Sequence, residues 1–146
     1  MKAFYEHIDS IEKQLFVFRN INLTFFDAPF HYHPEFELTY IIEGEGIRYV
    51  GMKMEEFRAG ELVLLGSNLP HCWLNRPQPD GSNVAANVIQ FSPKIFESSF
   101  FQLLEFEDLK QLFLLAQEGL VFDGHILEPR LQALFEQPPA KRILSL

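Results

Sequence analysis

The sequence of 146 residues predicts a mainly β domain that finishes in α-helices. Three observations carry that expectation. Between Gln14 and Phe91 the apolar residues come in short runs separated by turn residues, the pattern of an antiparallel sandwich or barrel. After Phe91 the apolar spacing lengthens to the helical period. The 16 phenylalanines also demand an interior built from large flat rings, which suits a barrel wall backed by a second layer. The expected division is a β-barrel over residues 1–92 and a helical segment packed on it over 93–146.

The strands are read in QLFVFR, INLTFF, FELTYIIE, GIRYV, ELVLL, HCWLN and NVAANVIQF. Turn-forming residues break them at Ala28-Pro29, at Glu43 to Gly46, at Gly51, at Ala59-Gly60 and across the polar loop NRPQPDGSN. Ser92-Pro93 has the form of an N-cap followed by proline at the first helical position. Phe96, Phe100, Leu103 and Leu104 then share one helical face, as do Leu109, Leu112, Phe113 and Ala116 before Gly119. Leu127, Leu131, Leu134 and Phe135 form a third stripe ahead of Pro138-Pro139, so two or three helices are expected. Phe101, Leu114 and Leu115 fall outside these stripes and widen the apolar surface, which points to a homodimer through this region. The tail AKRILSL opens a further apolar pattern, as though the natural polypeptide continued.

Charge and cysteine content narrow the functions. Twelve basic against 20 acidic residues give a net charge of −8 and a pI near 5.0, the wrong sign for gripping a phosphate backbone. A single cysteine, Cys72, allows neither an intrachain disulfide nor a thiolate zinc cluster, and fits a reducing cytosol. No apolar leader or membrane-length run is present, so the expected location is cytoplasmic and away from membranes.

The chemistry concentrates in HYHPEFELTYIIEG, residues 31–44. On an extended strand, residues two apart share a face, so His31 and His33 present both imidazoles to one side. Pro34 marks a bend, and Glu37, at the start of the next apolar run, is the better inward carboxylate. His71 opens a strand after Gly66, Ser67, Asn68 and Pro70; its neighbour Cys72 faces the other way and reads as a small buried hydrophobe. Three imidazoles and a carboxylate suit iron, manganese, nickel, copper or zinc. The same four groups could equally line a cavity that holds water or an organic ligand and no ion. His7 and His125 read as surface residues. No nucleophile-elbow pattern joins serine, histidine and aspartate into a hydrolase site.

The run from His31 and His33 through Glu37 to Gly44 resembles the first cupin motif. The run from Gly60 through Gly66, Ser67, Asn68 and His71 to Asn75 resembles the second. Residue by residue, the resemblance puts the cupin metal ligands on His31, His33, Glu37 and His71, and implies a double-stranded β-helix, or jelly roll. Phe25 stands where a glycine often precedes the first motif, and Gly66 and Asn68 replace a proline and a glycine of the second. Gly66 and Asn68 both tolerate the positive φ of a tight turn.

HYHPEFELTYIIEGEGIRYVG and GELVLLGSNLPHCW, with FSPKIF and LFLLAQEGLVF after them, are similar to the N-terminal cupin domain of AraC-type transcription regulators. That resemblance implies a barrel that senses a small molecule such as a sugar, helices that mediate dimerisation, and a separate helix-turn-helix pair that binds DNA. No such pair occurs in this sequence, and a basic one is expected to follow Leu146. The pocket expected is His31, His33, Glu37 and His71, with Thr39, Arg48 and Trp73 as neighbours; Trp73 could stack on a sugar and Arg48 could pair an anion. The rival reading is a metal-dependent cupin dioxygenase or isomerase using the same four residues.

Overall fold

The structure is a computed structural model that describes residues 1–9 and 13–145. Leu146 and the side chains of residues 143–145, part of the apolar pattern read in AKRILSL, lie outside the described residues. The strands are β1 (Phe4–Tyr5), β2 (Phe16–Leu23), β3 (His31–Tyr32), β4 (Phe36–Glu43), β5 (Glu45–Val50), β6 (Lys53–Arg58), β7 (Glu61–Leu65), β8 (His71–Asn75), β9 (Val84–Phe91) and β10 (Leu120–Asp123). The helices are α1 (Glu107–Leu115), α2 (Glu128–Glu136) and α3 (Pro139–Ser145).

Two five-stranded sheets face each other, in the orders β1-β3-β8-β5-β6 and β10-β7-β4-β9-β2. Pairing is antiparallel throughout except between β1 and β3. In β5 burial alternates, with Gly46, Arg48 and Val50 turned inward, as expected of a sheet with one solvated face. All eight residues of β9 are buried, because that sheet is covered on both sides.

The second sheet is therefore a wall with two apolar faces. One face, including Ile41, Val63, Leu65, Ala86 and Val88, meets Val50, Phe57 and Trp73 across the barrel interior. The other face, including Phe36, Tyr40, Leu62, Leu64, Ile89 and Phe91, packs on Ala116, Leu131 and Leu134 from the C-terminal segment. Many of the phenylalanines gather on this second face, where Phe36, Phe91, Phe96 and Phe113 contact one another with ring centroids 4.6 to 6.5 Å apart. Their role is to glue helices to the outside of the barrel as well as to fill it.

The helical half differs from the sequence expectation in two places. Ser92 does cap, accepting from the Lys94 backbone N–H at 3.3 Å, but residues 93–106 form three short 3-10 turns instead of one helix. Ser98 and Leu103 are extended between the turns, and the Ser98 hydroxyl donates to the Ile95 carbonyl, the local competition by which serine interrupts helices. Phe96, Phe100, Phe101 and Phe106 then fold onto each other, a packing that outweighs helical spacing. Second, Leu120–Asp123 is a strand that extends the barrel by pairing with β7. Gly119, at φ 73°, makes the turn into it. Among the described residues no helix is long and apolar enough to cross a membrane.

Candidate ligand and metal site

His31 on β3, His33 just after it, Glu37 on β4 and His71 on β8 converge inside the barrel, all buried. Register explains the convergence: His31 is paired with His71 across β3 and β8, and Glu37 with Gln90 across β4 and β9. The loop that carries His71 is tied to the first motif by Asn68, whose N–H donates to the His33 carbonyl at 2.8 Å and whose φ is 59°. The ring centroids of His31 and His71 are 4.3 Å apart, and those of His33 and His71 are 5.1 Å apart.

Each imidazole is oriented the same way. The Nδ1 atoms of His31, His33 and His71 lie 2.6, 3.2 and 2.8 Å from the backbone carbonyls of Pro29, Glu35 and Leu69. A carbonyl only accepts, so Nδ1 carries the proton in each ring and Nε2 is left to face another group. His33 Nε2 lies 3.2 Å and His71 Nε2 3.7 Å from Glu37 Oε2. His31 Nε2 lies 3.4 Å from Oε2 of Glu6.

Glu37 is held from three sides. Thr39 Oγ1 donates to its Oε1 at 2.7 Å, and Gln90 Nε2 donates to its Oε2 at 2.9 Å, beside His33. Burial alone would raise its pKa, but the His71 charge and the close approach of the His33 and His71 rings hold it well below the ordinary carboxylate value. Burial pulls His71 down, yet Glu37 and the Leu69 carbonyl together raise it above the usual histidine value. His31 is lowered, by burial first and then by His71.

These donors fit a divalent metal. One ligand atom from each of His31, His33 and His71 lies within 4.8 Å of the others, in buried surroundings. Their Nδ1–H···O=C bonds are the outer contacts that fix the tautomer of a ligating histidine. Among the described residues His71 Nε2 has no hydrogen-bond partner. At His33 a lone pair would oppose a carboxylate unless a proton or a cation sits between them. Glu37 is the adjoining carboxylate.

A cavity of about 80 Å³, open to solvent at its mouth, lies beside this cluster. Thr39 and Trp73 are in its wall; Trp73 is buried, with its ring centroid 5.7 Å from that of His71. Arg48 is elsewhere. It shares the inward phase of Trp73, opposite which it pairs, but its guanidinium donates to Glu61 at 2.6 Å, Glu55 at 3.1 Å and the Glu56 carbonyl at 2.6 Å. Sequence reasoning passed over Glu6, Arg19 and Gln90, which also line the cavity. Gln90 had a readable signal, as an amide in an otherwise apolar strand end, whereas Glu6 arrives through the parallel β1–β3 pairing, which no local pattern announces.

Residues 25–79 match the Cupin domain family, covering both histidine-bearing motifs. Two solved structures of ToxT from Vibrio cholerae share the architecture. ToxT bound to (E)-4-(8-methylnaphthalen-1-yl)but-3-enoic acid aligns with a TM-score of 0.58 at 15% identity, over 90% of this chain and 53% of that one. Wild-type ToxT bound to an unsaturated fatty acid aligns with a TM-score of 0.55 at 14% identity, over 82% and 44%. This chain shares the cupin-barrel fold of these structures. It spans about half the length of ToxT. No curated protein matches the sequence. The barrel carries its histidine cluster at the start of β3, just after it and at the start of β8, next to the cavity.

Proposed function

We propose that this chain is the effector-sensing and dimerisation half of an AraC-type regulator. A small molecule enters the barrel, and its unequal affinity for two arrangements of the protein shifts their populations. The shift controls a DNA-binding helix-turn-helix domain outside this chain. The observation that carries the reading is the cavity itself, where Ile21, Ile41 and Val88 supply an apolar wall beside buried polar atoms that have no hydrogen-bond partner among the described residues, Trp73 Nε1 and Gln90 Oε1. Native interiors rarely leave such atoms unsatisfied, and a ligand would satisfy them.

The segment after residue 92 supports the dimer. Leu104, Leu114, Leu115 and Ile126 are 87, 64, 59 and 84% exposed, an apolar surface of the kind that a second copy covers.

The histidine cluster supports a second reading, a metal-dependent cupin enzyme. His31, His33 and His71, with Glu37 beside them, would hold an iron, manganese, nickel, copper or zinc ion, which would supply Lewis acidity to a bound oxygen atom. The protein's own part would be to keep the three Nε2 lone pairs aimed inward through their carbonyl contacts. Metal analysis of protein purified without affinity nickel, run beside thermal-shift and sedimentation measurements, separates the readings. A metal-free dimer stabilised by an organic compound is the expected result. Stoichiometric iron or manganese with oxygen consumption would favour the enzyme.

A further inference from the structure

Resting on the reading of the barrel interior as a ligand cavity, the geometry points to a donor-bearing small molecule without a carboxylate, a polyol or an amine, as its occupant, selected by Glu6 and Gln90. The unsatisfied buried atoms at the cavity are mostly acceptors: Glu6 Oε2 and Gln90 Oε1, with Trp73 Nε1–H as the one lone donor among these three residues. Gln90 cannot turn to offer its amino group, because Nε2 is already donated to Glu37. The vacant side of its amide is therefore fixed as an oxygen.

Charge agrees. Glu6, Asp27 and Glu37 put three carboxylates on the cavity against the Arg19 guanidinium and the His31 imidazole, which face Glu6 at 3.8 and 3.4 Å. Arg48, the cation the sequence offered to an anionic ligand, is committed to Glu55 and Glu61. Glu37 already accepts from Thr39 at one oxygen and from Gln90 at the other. A hydroxyl can donate to Glu6 and Gln90 and accept from Trp73; an ammonium can serve both acceptors while lying near the Trp73 and Phe26 rings. A carboxylate could reach the indole N–H or Arg19, but it would set its other oxygen against two acceptors beside three carboxylates, an arrangement that costs the unpaired groups their desolvation. The selectivity should therefore be opposite to that of ToxT, whose solved complexes hold carboxylic acids.

The test uses three ligands on one ring, trans-1,2-cyclohexanediol, cyclohexylamine and cyclohexanecarboxylate, titrated into chelator-treated protein. Trp73 is the single tryptophan, so its indole N–H resonance reports the cavity without assignment. Expected is tighter binding of the diol and the amine than of the carboxylate, by about tenfold or more. Glu6→Gln should weaken the amine at least about fivefold and narrow its advantage over the carboxylate, and Gln90→Met should weaken the diol and the amine alike. The ranking in unaltered protein stands without the variants, should either fail to fold. A carboxylate that binds as tightly as the others overturns this inference and leaves the cavity intact; a Trp73 signal that no member of the panel moves overturns both.

Discussion

Glu37 lies 4% exposed at the centre of the cluster and survives there as a carboxylate because Thr39 and Gln90 donate to it and the His33 and His71 imidazoles lie beside it. Removing it strands Thr39, Gln90 and His33 in a dry interior. Glu37→Leu is therefore expected to cost about 3 kcal/mol in urea unfolding of chelator-treated protein. Replacing Asp108, an exposed acid of α1, should cost less than about 0.5 kcal/mol. The pH dependence follows from the two shifts in the cluster. Glu37, depressed in the fold, contributes stability that is present above its ordinary value of 4.5 and lost as pH falls through its folded value. His71, raised in the fold, contributes stability that is complete below its ordinary value of 6.5 and lost as pH rises through its folded value. The advantage of unaltered protein over His71→Gln should thus be greatest near pH 5 to 6 and shrink toward alkaline pH; an advantage that grows with pH would contradict the pairing. His31, His33, Glu37 and His71 were legible because strand phase fixes which way alternate residues point. Arg48 obeyed the same phase, yet its partners depended on what phase alone does not reveal, the β5–β6 register for Glu55 and the start of β7 for Glu61.

At the scale of elements, the turn before β8 aligns the two halves of the site. Asn68 holds φ 59° while its N–H reaches the His33 carbonyl, so the turn that launches His71 is pinned to the strand end that carries His33. Asn68→Gly should leave stability within about 0.5 kcal/mol, whereas Asn68→Ala should lose about 1 kcal/mol, since a side chain with no local hydrogen bonding opposes the left-handed region. Chemical denaturation checks both. The seven apolar runs read from alternation and turn chemistry fall on six strands, since QLFVFR and INLTFF form the single strand β2, and the extended stretch at His31 supplies β3. The mostly polar β6 was not legible, nor were β1 and β10, which are short and are each created by a distant partner, β3 in one case and β7 in the other. The stretch from Pro93 to Phe106 had a helical stripe, but tertiary ring packing around Phe96 and Phe106 decided its backbone. Periodicity reports which residues seek burial and is silent on what they will find.

At the scale of the molecule, the sheet built from β2, β9, β4, β7 and β10 separates two environments. Alternate residues of β2, β4 and β9 face the cavity, as Arg19, Thr39 and Val88 do, or face the helical layer, as Phe18, Leu38 and Ile89 do. A ligand therefore touches the same strands on which the proposed dimerisation segment sits. Sedimentation should show concentration-dependent association, and the double substitution Leu114→Glu with Leu115→Glu should leave a folded monomer; an unchanged dimer would place the interface elsewhere.

The central claim is that the barrel encloses a site to be filled and not a finished core. Ala86, 1% exposed and in the cavity wall, allows that to be measured without knowing the effector. The stability of Ala86→Leu, from urea unfolding, should fall within about 0.5 kcal/mol of the unaltered protein or exceed it, because the added carbons enter open space. A loss of about 1–3 kcal/mol, the penalty of overpacking, would show that the interior is already full and would contradict the account.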